Sequence, residues 1–115
     1  MKFMCLVFVD ADMASSMQPA DWARMGQESS AYDQMLMQRG IYVHAEALEG
    51  REAARTVRVR GGQTMITDGP FMESKEAAGG FILVDVESAA AAMEVARHIP
   101  MARLGAVEVR PVMIF

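Results

Sequence analysis

The chain has 115 residues, of which 52% are hydrophobic and 23% are charged, and its formal net charge at pH 7 is −4. This length fits a single domain, residues 1–115, and the composition is that of a folded protein with an apolar core. The acidic balance lacks the basic surface of nucleic-acid-binding proteins, so we expect no nucleic-acid partner. No apolar run reaches the roughly 20 residues of a membrane-spanning helix, so we expect a cytoplasmic protein without a membrane partner.

The first half of the chain is predicted to be strand, helix and strand. Residues 2–9 are an apolar run of strand length, without the small-residue cleavage site of a signal peptide. Residues 10–18 are expected to form a loop, and Pro19 to open a helix over residues 19–39. Residues 41–48 alternate as a second strand. One face of the predicted helix is made by Trp22, Met25, Ser29, Tyr32 and Leu36.

The second half contains a hairpin and a second strand-helix-strand unit. After a polar loop at 49–54, residues 56–60 and 64–67 flank Gly61-Gly62, which is a hairpin signal. An apolar strand at 81–85 precedes a helix at 89–99, with Ser88 as its cap, and a last strand at 106–114. Pro111 within that strand cannot donate to a ladder, which predicts an edge or a bulge. The order predicts an α+β fold, a ferredoxin-like split βαβ with an extra β-hairpin and an antiparallel sheet.

The predicted sheet has more apolar surface than two helices can cover. The strands at 2–9 and 81–84 are apolar on both faces, whereas the helices cover one face. At about 25 cal/mol per Å², burying the second face would be favourable by very roughly 10 kcal/mol before association costs. We therefore expect a homodimer with sheet against sheet in two-fold symmetry. The alternative is that the loops at 10–18 and 49–54 cover this face within one chain.

The stretch TDGPFMESK at residues 67–75 concentrates polar groups around a turn that Pro70 imposes. Two interpretations of Asp68 stay open: an Asx-type turn in which the carboxylate binds local backbone, or a general base facing a cleft. Phe71 is either a loop anchor or an apolar cover for a ligand. Lys75 either belongs to a solvated charged run or reaches towards Asp68 or an anionic ligand.

Charged and polar residues recur on one face of three predicted strands. If these faces line a cleft, it contains a candidate catalytic histidine, His44, and guanidinium groups suited to carboxylates from Arg58, Arg60 and Arg110. If they face water, they are ordinary strand surface. The sets that share a face are Tyr42, His44 and Glu46; Arg58 and Arg60; and Glu108 and Arg110.

No pattern in the chain predicts a metal or a cofactor. The only cysteine, Cys5, lies in an apolar run and is expected to be a buried, inert thiol. The two histidines and this cysteine are far apart in the sequence, so no metal site is expected. Gly61-Gly62 is a hairpin turn and not a phosphate-binding loop, so we expect no cofactor.

The chain resembles the YciI-like, or DGPF-domain, family of YCII-related proteins over its whole length. The blocks that carry the resemblance are TVRVR at 56–60, TDGPF at 67–71 with Glu73 and Lys75, GGF at 79–81, and residues 105–112. The resemblance implies a dimeric α+β barrel. The resemblance to founding YciI-type members implies a His–Asp pair, of which only the aspartate, Asp68, transfers to this chain. His44 stands where glycine is common in DGPF-type relatives, so the resemblance does not make it a family-wide catalytic group.

The resemblance and the residues together leave three functions open. The first is a small dimeric barrel that binds a small polar or anionic organic molecule near the DGPF loop, with Asp68-based proton transfer. The second is a non-catalytic accessory or regulatory module, because DGPF-type relatives occur beside or fused to sigma factors. The third is a purely structural dimer. Whether the protein is an enzyme is left open by the sequence.

Overall fold

A computed structural model describes residues 1–115 and confirms the α+β class. Short 3-10 turns at Arg51–Ala53 and Pro100–Leu104 supplement the regular elements. None of the helices is both long enough and apolar enough to cross a membrane. The elements are β1 (Lys2–Asp10), α1 (Ala11–Ser15), α2 (Pro19–Gln38), β2 (Tyr42–Ala47), β3 (Arg55–Arg60), β4 (Gln63–Asp68), β5 (Glu76–Asp85), α3 (Ala89–Arg97) and β6 (Gly105–Pro111).

The main sheet has the strand order β2-β5-β1-β6, and every neighbouring pair is antiparallel. This is the predicted ferredoxin-like arrangement, with the β3–β4 hairpin inserted as a separate two-stranded sheet. β6 is an edge strand, as Pro111 indicated. It ends at Pro111 and not at residue 114; beyond Pro111, which pairs with Phe3, one further backbone contact remains, from the Val112 amide to the Lys2 carbonyl at 2.9 Å.

Two other boundaries differ from the prediction. Residues 10–18 are not a simple loop, because the Asp10 carboxylate accepts hydrogen bonds from the amides of Asp12 and Met13 at 2.9 and 3.0 Å and starts α1. β5 begins at Glu76 and not at residue 81, because β1 is long enough to pair with these earlier residues. A bulge at Gly79 lies between the two parts of β5.

The core lies between α2, α3 and one face of the sheet. Asp21 accepts a hydrogen bond from the Gln18 amide at 2.9 Å at the start of α2, and Ser88 Oγ accepts one from the Ala91 amide at 3.1 Å at the start of α3. The Tyr32 hydroxyl donates to the Val95 carbonyl at 2.7 Å and joins the two helices. The sheet and helix residues of this core include Phe3, Cys5, Val7, Leu36, Ile82, Val84, Ala92, Val95 and Ala96.

β2 contains one unopposed residue, Val43. Tyr42 pairs with Val84 and His44 pairs with Leu83, so the strand has an irregularity between them. Because adjacent residues of β5 point to opposite faces, Tyr42 lies with the core while His44 lies on the other face. The prediction that Tyr42 shares a face with His44 and Glu46 is therefore wrong for Tyr42.

The second face of the sheet carries apolar side chains that no helix covers. The molecule is only 18 Å thick along its shortest axis, against 45 and 44 Å along the others. Layers of secondary structure pack about 10 Å apart, so this thickness fits one sheet and one helical layer. We call this surface the open face; its apolar members are Met4, Leu6, Phe8, Phe81 and Leu83.

The β3–β4 hairpin extends away from the main body. Gly61 and Gly62 both have positive φ, 56° and 78°, as a tight two-residue turn requires. Val57 and Ile66 pair across the strands and are 60% and 66% exposed. Since an isolated two-stranded hairpin is only marginally stable, its apolar surface is a candidate for further contact.

Candidate functional site

The DGPF loop, residues 69–75, connects β4 to β5 and is attached to the chain at both ends. At its start, the Gly69 amide donates to the Ala54 carbonyl at 2.8 Å, and Thr56 Oγ1 donates to the Gly69 carbonyl at 2.8 Å. These contacts fix the loop against the beginning of β3, so the loop has a defined position although most of its side chains are exposed.

The end of the DGPF loop is held by two cations. The Arg51 guanidinium donates to the carbonyls of Ser74 and Lys75 at 2.6 and 3.0 Å. Lys75 Nζ contacts the Asp12 carboxylate at 3.1 Å, and the Ala11 amide donates to the Lys75 carbonyl at 2.7 Å. Lys75 therefore binds α1 and does not reach Asp68 of the same chain.

Asp68 is the last residue of β4 and pairs with Arg55 of β3. Its side chain is 95% exposed, and its charged neighbour is Arg55, with Nε 3.9 Å from Oδ1. The carboxylate accepts no backbone hydrogen bond, and the turn after it depends on Gly69 at φ 93° and on Pro70. The Asx-turn interpretation therefore lacks the contact that would define it.

His44 lies on the open face and pairs with an acid on its own strand. Its Nε2 is 2.8 Å from Glu46 Oε2, and its ring lies 6.0 Å from the ring of Phe81 at an angle of 54°. Arg110 is on the same face of the sheet but on β6, the opposite edge. Three strand spacings of about 4.8 Å separate the two edges by about 14 Å.

Arg58 and Arg60 share one face of the hairpin, as the alternation predicted. The Arg58 guanidinium lies over the Phe71 ring, 4.8 Å from its centroid, which attaches the hairpin to the loop through a cation–π contact. Arg60 donates to the carbonyl of Val59 at 2.9 Å. Asp68 is on the other face of the hairpin, with Arg55.

The structure thus brings together only some of the predicted site residues. Arg58 and Phe71 are in contact, whereas Asp68 and His44 lie in different sheets and pair with different neighbours. Arg51, which holds the loop, was not predicted from the sequence. No group of three His, Cys, Asp or Glu side chains gathers in a geometry that could hold a metal ion.

A second candidate site lies on the helix side of the sheet. A cleft of about 550 Å³ separates α2 from the ends of β2 and β5. Small residues line its floor: Ala45 and Ala47 on β2 present only methyl groups there, so the space beneath α2 is not filled. Gly79 and Gly80 on β5 allow close packing within the sheet, because a Cβ at either position would press on Val9 or on the β2 backbone. We call this space the helix-side cleft.

One carboxylate from α2, Asp33, lines the helix-side cleft. Burial raises the pKa of Asp33 above its usual range, because the charged form loses hydration there. The sequence held a signal for this residue, since Asp33 follows Ser29 by four positions and so falls on the face that was predicted from residues 22–36. An acid on a helix face that is otherwise made of apolar and small residues indicates a partly buried carboxylate.

The fold defines a small α+β protein with a ferredoxin-like sheet, one uncovered sheet face and a characteristic DGPF loop. The family model that matches it is the YCII-related domain, over residues 1–115, so the chain belongs to the YCII-related family. An uncharacterised protein of Rhizobium meliloti (strain 1021) is 31% identical over 117 residues. That match covers 100% of this chain and 94% of the relative.

Proposed function

We propose that the protein acts as a homodimer, a dimeric α+β barrel that binds a small polar or anionic organic molecule near the DGPF loop. The observation that carries the proposal is the open face. Five large, half-buried apolar side chains lie on it without a helix above them, and a second copy, sheet against sheet, would remove their remaining surface from water.

Dimerisation would also supply what a single subunit lacks. Within one chain the charged edges of the open face, His44–Glu46 on β2 and Glu108–Arg110 on β6, are about 14 Å apart by strand spacing. A two-fold partner brings a second set of both edges to the interface. Charged groups of one subunit can therefore lie closer to those of the other than the two edges of a single chain lie to each other, and a small ligand can contact both.

The cations near the loop support an anionic ligand. Arg58 and Arg60 share a hairpin face, and planar guanidinium groups bind carboxylates through two parallel hydrogen bonds. Asp68 is exposed and has one long ion pair, so its carboxylate can accept a proton or a hydrogen bond from a bound molecule. Asp68 is accordingly the proposed base; because it lies on the other face of the hairpin from Arg58 and Arg60, the proposal needs the Asp68 of one subunit to meet a ligand held by the other. His44 and Arg110 are the groups proposed to orient that ligand.

The dimer is tested by sedimentation at micromolar concentration. The chain mass is 12.6 kDa, and we expect a particle of twice that mass. Leu6→Lys on the open face should give a folded monomer, whereas Met93→Lys, at an exposed apolar position on α3, should remain a dimer. A wild-type protein that sediments as a monomer would overturn the proposal, whatever the variants do.

The ligand is tested by thermal-shift titration with small dicarboxylates, such as succinate and 2-oxoglutarate. Arg58→Gln should reduce the shift, and Arg24→Gln, an exposed arginine on α2, should not. Asp68→Asn should keep binding while removing any proton exchange at the ligand. If no small carboxylate stabilises the wild-type dimer, the ligand half of the proposal fails and the dimer half stands.

A non-catalytic accessory or regulatory role, for example with a sigma factor, is the second candidate. The observation that favours it is that His44 pairs with Glu46 and Asp68 pairs with Arg55, so the His44–Asp68 pair is not assembled within one chain. An Asp68→Asn protein that retains every ligand-dependent property of the wild type would support this role over proton transfer.

A further inference from the structure

We propose that the helix-side cleft binds a small apolar molecule that carries an amino group, with the ammonium paired to Asp33. This site lies on the opposite side of the sheet from the open face and is formed within a single subunit. The inference therefore stands or falls independently of the dimer and of the DGPF loop.

The size and lining of the cleft favour a small organic molecule. Its volume of about 550 Å³ is within the range of roughly 300–1,000 Å³ of ligand pockets. Its walls are mainly apolar, with Trp22 and Met25 from α2, Leu48 after β2, and Ile82 from β5. The cleft is open to solvent, since Trp22 and Leu48 at its border are 40% and 53% exposed, so a small molecule can enter it without rearrangement of the chain.

The charge of the cleft selects the kind of molecule. Asp33 is the acid of this cleft; Glu46 is also at its border, but its carboxylate lies on the open face with His44, and no lysine, arginine or histidine lines the cleft. The Glu46 carboxylate already pairs with His44 at 2.8 Å, whereas no ion pair or hydrogen bond engages that of Asp33. An anionic ligand would meet uncompensated negative charge, and a neutral one would leave a partly buried carboxylate without a partner. An ammonium group satisfies Asp33 and reverses the effect of burial on its pKa.

The single tryptophan provides the measurement, since Trp22 lines the cleft and is 40% exposed. Trp22 fluorescence is followed during titration with 4-phenylbutylamine, with 4-phenylbutan-1-ol and with 5-phenylpentanoate, which share a phenyl ring and four methylenes. The amine should bind about tenfold or more tightly than the alcohol, as expected for a hydrogen bond to a charged group. The acid should bind more weakly than either.

Three variants separate the site from general effects. Asp33→Asn should bring the amine and the alcohol within about twofold of each other, which follows from the loss of the ion pair. Gly26→Leu should abolish binding of both, because a Cβ at Gly26 meets no atom within 4 Å and the added side chain can enter the cleft without clash. Glu87→Gln, an exposed acid after β5, removes the same charge elsewhere and should leave the preference intact.

The proposal is overturned if the wild-type protein shows no saturable change with the amine, or binds amine and alcohol equally. It is also overturned if Gly26→Leu binds as the wild type does, since binding would then lie outside the cleft. If a segment of a second copy fills the cleft instead, the wild-type protein should not bind the amine and Gly26→Leu should weaken the dimer. This pair of results would also refute the proposal.

Discussion

The Arg58 guanidinium lies over the ring of Phe71, with its central carbon 4.8 Å from the ring centroid. One residue belongs to the hairpin and the other to the DGPF loop, so this contact couples two segments that are otherwise largely exposed. Both were candidate ligand-binding residues, and the contact indicates that they act together in shaping the loop. An anionic ligand that engages Arg58 would therefore also meet an aromatic surface.

A double-mutant cycle should measure this coupling. Arg58→Gln and Phe71→Leu, alone and together, are expected to give an interaction energy of about 0.5–1 kcal/mol, as for exposed cation–π pairs. Urea unfolding of the four proteins provides the measurement. Strictly additive effects would show that the stacked geometry does not contribute to stability.

Arg51→Gln should loosen the end of the DGPF loop. The variant loses two hydrogen bonds to the carbonyls of Ser74 and Lys75, so we expect a loss of about 1 kcal/mol and faster amide exchange in residues 72–76. Hydrogen exchange with mass spectrometry makes the comparison. Arg55→Gln is the matched control, because Arg55 is 77% exposed and its ion pair spans 3.9 Å. Equal effects of the two substitutions would contradict the role of Arg51.

Asp33→Asn should stabilise the unliganded protein at neutral pH. Burial raises the pKa of Asp33, so ionisation costs more in the folded state than in the unfolded state. The native protein should therefore lose stability as the pH rises from the ordinary aspartate value, 3.8, through the folded pKa. Urea midpoints of the two proteins should differ at pH 7 and converge below about pH 3.8. A less stable Asn variant at pH 7 would show that the carboxylate has a structural partner.

Glu94 on α3 should titrate below its ordinary value. The main cause is its hydrogen bond with His98, with 3.0 Å between Oε1 and Nε2, and Arg97 adds a smaller effect; together they lower the Glu94 pKa. The stabilising contribution is present above the ordinary pKa, 4.5, and disappears as the pH falls through the folded value. Carbon-13 NMR should give this midpoint, and His98→Ala should move it upward. An unchanged midpoint in that variant would assign the shift to another group.

Cys5 should be unreactive in the folded protein. Its side chain is fully buried, and burial raises the pKa of the thiol to about 11, so little thiolate is present at neutral pH. Labelling by a thiol reagent should follow global unfolding in urea. Rapid labelling of Cys5 without urea would contradict this prediction and would show that β1 opens locally in the folded protein.

The sequence predicted best those elements whose limits have local causes. Pro19 starts α2, Ser88 caps α3, and Gly61-Gly62 forms the hairpin turn, because each residue determines the backbone at its own position. Asp10 is also a local cap, and α1 could have been recognised from it. Cys5 was correctly predicted to be buried.

What could not be read from the sequence depends on pairing between distant segments. The unopposed Val43 results from the register of β2 on β5, and no residue near it signals the irregularity. The helix-side cleft depends on Ala45 and Ala47 of β2 coming to lie beneath α2, which single-segment patterns do not reveal. The DGPF motif located the loop, but the contact from Arg51 requires the folded chain.

Val43 gives β2 a spare position in its alignment with β5. Deleting it would leave Tyr42 opposite Val84 and His44 opposite Leu83, so the strand would become regular and no side chain would exchange its inward or outward orientation. Deleting Leu83 instead would invert the orientation of the residues beyond it. We therefore expect the fold to tolerate deletion of Val43 in β2 but not deletion of Leu83 in the neighbouring strand β5.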